Sequence, residues 1–130
     1  EYLKKHGTPQ RPEDLDKHRI VIYGADAHPP IRNASWLLEA GARPGFERHP
    51  ILAINNLYAI LRALESGVGI ASLPSFMDAE ISGLVRVLPD LLGGEFEAFF
   101  VYPEELRSSK RIAVFRDFLL RKVAEGKNGN

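Results

Sequence analysis

The stretch INNLYAILRALESGVGIASLPSFM, residues 54–77, decides how this chain is read. Leu57, Ile60, Leu61 and Leu64 fall at i, i+3, i+4 and i+7, the spacing of one apolar helix face. Gly67 is placed to stop that helix, because glycine enters the left-handed region freely. VGIASLP then reads as a short buried strand, and Pro74 is pre-set for the first turn of a further short helix that Gly83 ends. Gly67 and Gly69 invite comparison with a phosphate-binding loop, but there the order is strand, glycines, helix, so that a helix N-terminus faces the anion. Here the glycines follow the helix, at its partially negative end, and no Gly-Lys-Ser/Thr accompanies them. They read as a helix stop and a site of close strand packing. Asn55 and Asn56 lie at the other end, where four backbone N–H groups lack helical partners. One Asn serves as N-cap. A second amide at the carboxyl end of a strand stands where open α/β sheets form ligand clefts and where helix N-termini attract anions.

Working outward, RIVIY (residues 19–23) is β-branched and nearly all apolar, the pattern of a strand buried on both faces. EYLKKHG reads as a short helix closed by Gly7, and EDLDKH as one or two helical turns after Pro12 with acidic residues favoured by the dipole. GADAHPPIRNA is a loop. SWLLEAG and FERHPILAI read as strands joined by AGARPG, with Pro50 marking an edge or bulge. LVRVLP and EFEAFFVYP read as strands. SSKRIAVFRDFLLRKVAEG is the last helix, capped by Ser108 or Ser109, with Ile112, Phe115, Leu119 and Val123 facing inward. Residues 126–130 form a disordered tail. Strands alternating with helices make the fold class α/β.

The 130 residues fit one domain, and 17 basic against 17 acidic residues leave no net charge. That balance argues against this segment itself gripping nucleic acid, which needs a basic surface to displace counterions. The absence of cysteine excludes disulfides, a thiol nucleophile and a thiolate zinc site. His6, His18, His28 and His49 have no metal-ligand spacing, so no metal is expected. No serine sits in a Gly-x-Ser-x-Gly elbow, and EDLD and PEEL read as a helix start and a solvated turn rather than acid/base pairs. No catalytic residue and no cofactor emerge. No run is apolar enough for a membrane span, EYLKKHGTPQ is not a signal peptide, and the chain reads as part of a longer protein.

In order and spacing the chain resembles the effector domain of LysR-type transcriptional regulators. Residues 54–77 are similar to that family's strand, helix, Gly-x-Gly-Ile and Leu-Pro. YLKKHGTPQRPEDLDKHRIVIY resembles its entry into the second effector subdomain. SGLVRVLPDLLGGEFEAFFVYPEELRSSKRIAVFRDFLL resembles its ending. The resemblance implies a periplasmic-binding-protein-like (type 2) domain, of which this chain carries mainly the second lobe. Residues 1–97 would form that lobe, and 98–125 would be a crossing strand and helix returning to the first lobe. The resemblance also implies a small-molecule effector held between lobes, a homodimer or homotetramer in the cytoplasm, and DNA contact only through an N-terminal winged helix-turn-helix absent here. Its effector contact at the start of the central helix carries over to Asn55, with Asn56 beside it. Tyr23 and Gly24 after the first strand, and Val101 and Tyr102 on the crossing strand, are further ligand-binding candidates. Where members often carry Asp or a small hydroxyl residue, this chain has two neutral amides, able to meet an anionic or a neutral ligand. The alternative is a lobe of a periplasmic-type solute-binding protein serving transport.

Overall fold

A computed structural model of the chain describes residues 1–24, 35–94 and 99–127. It divides into two compact units, Glu1–Phe96 and Glu97–Asn130. In the first unit the elements are α1 (Tyr2–His6), a 3-10 helix Pro12–Lys17, β1 (Val21–Tyr23), a 3-10 turn Trp36–Leu38, β2 (Leu52–Ile54), α2 (Leu57–Glu65) and a 3-10 helix Ser75–Glu80.

β1 is the centre of the unit. On one side it pairs in parallel with β2, in the register Val21↔Leu52, Ile22↔Ala53, Tyr23↔Ile54. On the other side a parallel bridge joins Ile20 to Ile70. The Val21 N–H donates to the Ile70 carbonyl at 2.9 Å, and the Ile70 N–H donates to the Arg19 carbonyl at 2.9 Å. A strand with neighbours on both sides and cover above and below has no wet face, which is why RIVIY carries no polar alternation. Ile20, Val21 and Ile22 are all buried, with Tyr2, Leu15, Leu37 and Ile70 around them. Trp36, Leu38, Val87, Leu88 and Leu91 pack partly buried against this cluster.

α2 crosses between the two flanking segments. Its expected apolar face is the one it buries: Ile60 and Leu61 are 1% and 2% exposed. Full burial of each such side chain contributes about 1.5–3 kcal/mol. At its end Ser66 is the C-cap and Gly67 turns with φ +74°. The Gly67 N–H bonds to Leu64 O at 2.9 Å and the Val68 N–H to Ala63 O at 3.1 Å, the paired bonds of a Schellman motif. Gly69 has a different task. A Cβ there would overlap the carbonyl oxygen of Arg19, so the approach of residue 69 to the central strand needs a residue without a side chain.

Several expected strands are absent from the described residues. SWLLEAG is a 3-10 turn, with Leu38 N–H donating to Ser35 O and Glu39 N–H to Trp36 O. FERHPILAI is strand only over Leu52–Ile54. VGIASLP contributes the single bridge at Ile70. Residues 84–89 form no strand; Leu88, ahead of Pro89, takes φ +50°, which ends any extended run. GADAHPPIRNA lies almost entirely outside the described residues.

The order that SWLLEAG and FERHP lack as strands comes from one guanidinium. Arg48 is 6% exposed. Its Nε donates to Asp16 Oδ1 at 2.7 Å, its Nη2 to Pro12 O at 3.0 Å, and its Nη1 to the carbonyls of Leu37 and Ala40. Arg43 Nε takes the other Asp16 oxygen at 2.8 Å. Burial pushes the Asp16 carboxyl up, but the hydrogen bonds from Arg48 and Arg43 outweigh it and hold it below the usual carboxylate range. Gly41 completes the join: it has φ +63°, and a Cβ on it would overlap Pro12.

The second unit contains a 3-10 turn Glu104–Leu106 and α3 (Lys110–Lys127). Residues 99–103 carry no strand. They fold back within the unit through Phe100, whose ring meets Phe115 edge-on at 5.6 Å between centroids. α3 runs through Lys127, so positions 126 and 127 are helical where a tail was expected; residues 128–130 lie outside the described residues. Of the four residues expected to face inward, Ile112 and Leu119 are half-buried, while Phe115 and Val123 remain exposed within the unit.

Candidate functional site

β1 and β2 run in parallel and end together, which brings Tyr23, Gly24, Asn55 and Asn56 to one edge of the first unit. Tyr23 pairs with Ile54, and the Gly24 N–H donates to the Ile54 carbonyl at 2.9 Å. A Cβ on Gly24 would lie 3.4 Å from the Asn55 backbone N and 3.6 Å from the Asn55 Cβ. Gly24 therefore lies against Asn55, and four of the six expected ligand residues stand at one edge.

The two amides have separate tasks. Asn56 is the N-cap of α2: its backbone is extended (φ −140°, ψ 121°) and its Oδ1 accepts from the Ala59 N–H at 3.0 Å. Its own carbonyl accepts from Ile60 N–H at 3.1 Å. Asn55, one residue earlier, is exposed, and its side chain makes no hydrogen bond among the described residues. Nor do the N–H groups of Leu57 and Tyr58 find an acceptor among them. The edge therefore presents one uncommitted amide and the positive end of a nine-residue helix with no acidic side chain in its first turn. Such a set can accept hydrogen bonds and donate them, to a carboxylate or to a neutral polar group.

Val101 and Tyr102 belong to the second unit, where Val101 is exposed and Tyr102 is half-buried with its ring 5.5 Å from that of Phe100. Groups of His, Asp and Glu able to hold a metal ion are absent among the described residues. The Arg48–Asp16 join was not visible in the sequence, where Asp16 read as part of a helix start. No spacing signal marks it, because most of its acceptors are main-chain carbonyls.

The model of the LysR substrate binding domain matches residues 1–124. The chain belongs to this family. Among curated relatives, this LysR substrate-binding domain is 32% identical over 128 residues to the HTH-type transcriptional regulator CrgA of Neisseria meningitidis serogroup C, covering 95% of this chain and 41% of that protein. It is 28% identical over 129 residues to the HTH-type transcriptional regulator YhjC of Escherichia coli, covering 91% of this chain and 40% of that protein. A similar regulator of Haemophilus influenzae is 29% identical over 109 residues, 78% of this chain and 35% of its own. The chain thus spans about two-fifths of the length of these relatives. No solved structure matches it. Among the described residues no helix is long and apolar enough to cross a membrane. The two parallel strands with helices around them fit the α/β class expected of a LysR substrate-binding domain.

Proposed function

We propose that this chain is the ligand-sensing part of a cytoplasmic LysR-type transcriptional regulator. It is a binding module, not an enzyme. A small-molecule effector lies between two lobes, of which residues 1–97 make up most of the second, and residues 98–125 return toward the first. Binding shifts how the subunits of a homodimer or homotetramer sit, and with them an N-terminal winged helix-turn-helix on DNA. The energy for that shift comes from contacts the effector makes in one arrangement and not in the other.

The observation that carries this reading is the Asn55 amide, which has no hydrogen-bond partner among the described residues and is set against Gly24 beside the N–H groups that open α2. Asn56 supports it by holding the helix end in place, and Tyr23 borders the same edge. Val101 and Tyr102 are the proposed contacts from the crossing segment. A ligand is first found by thermal shift on the full-length protein, since binding to the native state raises the melting temperature. Asn55→Leu then removes the amide without removing the cap. A lost hydrogen bond to a charged ligand group is worth about 1.5–3 kcal/mol, so the dissociation constant should rise roughly tenfold or more. Unchanged affinity in a folded Asn55→Leu protein refutes the assignment.

A further inference from the structure

Among the described residues, the side-chain hydrogen bonds between the amino-terminal helix and the approach to the central strand pass through one hydroxyl. Tyr2 is 8% exposed. Its Oη accepts the Arg19 N–H at 2.8 Å, immediately before the buried run that starts at Ile20, and lies 3.3 Å from His18 Nδ1. A phenol has one proton to give. With the Arg19 N–H already pointing at the oxygen, that proton has one acceptor within reach among the described residues, the lone pair of Nδ1. The arrangement therefore needs a His18 ring unprotonated at Nδ1. A proton there would aim two donors at the phenol oxygen and leave the phenol proton without a partner.

Arg19 is where several elements join. Its N–H is held by Tyr2, its carbonyl by the Ile70 N–H, and Gly69 lies against that same carbonyl. The loop that closes α2 also rests on Tyr2: a Cβ on Gly67 would lie 3.9 Å from Tyr2 Cβ and from Tyr2 N. We propose that Tyr2 and His18 form a pH-responsive latch, closed while the His18 ring is neutral, that fastens α1 and the α2-closing loop to the central strand. Protonation of the ring opens it.

The surroundings favour the neutral ring. Burial and then the neighbouring His6 hold His18 below the ordinary histidine value, and Asp14 opposes them less strongly. His6 reaches the cluster from α1, its ring stacked on Tyr2 at 4.5 Å, and the His18 ring lies 5.9 Å from that of Tyr2. Asp14 comes from the same 3-10 helix that leads into His18 and is itself engaged by the N–H groups of Gln10 and Arg11. A lowered folded value means that the native state binds the proton less readily than the unfolded chain. The stabilisation is thus complete above about pH 6.5 and is lost as pH falls from there through the lowered folded value.

The test uses the full-length protein carrying this chain, with thermal midpoints measured between about pH 7.5 and 5.5, a window in which histidine is the side chain that ordinarily titrates. The wild-type midpoint should fall with pH, and His18→Gln should remove at least half of that fall. Tyr2→Phe should lower the midpoint already at about pH 7.5, where the latch is closed, and flatten the same slope. Histidine ring resonances give a reading that needs no variant to fold: His18 should titrate below the ordinary histidine value. A wild-type slope retained in His18→Gln, or a His18 ring that titrates at or above the ordinary histidine value, overturns the latch.

Discussion

The two ends of α2 are built from similar small and polar residues, yet structure uses them in opposite ways. At the carboxyl end the groups are taken up locally: Gly67 and Val68 close the helix onto Leu64 and Ala63, and Gly69 lies on the Arg19 carbonyl. At the amino end, among the described residues, only Asn56 is engaged, and Asn55 with the first two helical N–H groups is left over. A glycine pair beside a helix attracts functional interpretation, whereas a second Asn before a helix looks redundant. The proposed function reverses that ranking. What marks a site is the polar group that folding leaves unused.

The contrast can be broken at its most rigid point first. Gly69→Val should destabilise the first unit by about 3 kcal/mol or more, because the new side chain meets backbone that moves only with the strand ladder. Chemical denaturation measures this, and a change below about 1 kcal/mol would show that residue 69 is not locked against Arg19. Gly67→Ala comes next, at about 1 kcal/mol for a side chain forced into the left-handed region. At the other end the pair Asn56→Ala and Asn55→Ala sharpens the division of labour. The first should lower stability by about 1 kcal/mol through loss of the cap, and the second by less than about 0.5 kcal/mol. Equal losses, or a larger loss at Asn55, would return Asn55 to a structural role.

α2 was legible in the sequence because its period, its cap and its stop are all local signals. β1 was legible because a run without polar alternation has few other uses. The expected strands at residues 35–41 and 84–89 were not there, although Trp36, Leu37, Leu38, Val87 and Leu88 are buried or half-buried. Burial explains such runs as well as pairing does: Leu37 reaches the core from a 3-10 turn, and Val87, Leu88 and Leu91 from an irregular segment. Which of the two Asn residues caps the helix depends on the backbone turn just before Leu57, a matter of one residue that pattern alone does not resolve. Tyr23 and Gly24 also entered the candidate site through resemblance; the structure adds that β1 and β2 are parallel and end together, which brings these two beside the Asn pair. The crossing-segment residues Val101 and Tyr102 rested on resemblance alone.

Arg48 has a consequence for how this fold tolerates change. Three of its four acceptors, at Pro12, Leu37 and Ala40, are main-chain carbonyls, which every amino acid supplies. These three contacts therefore place no demand on the side chains at positions 12, 37 and 40 beyond the path of their backbone. Arg48 itself has no such freedom. Lysine brings one point of charge instead of a planar fork, and cannot reach four oxygens lying in different directions. A region that looks irregular and replaceable in sequence thus depends on a single residue whose identity is fixed by atoms that leave no trace in the sequence of their neighbours.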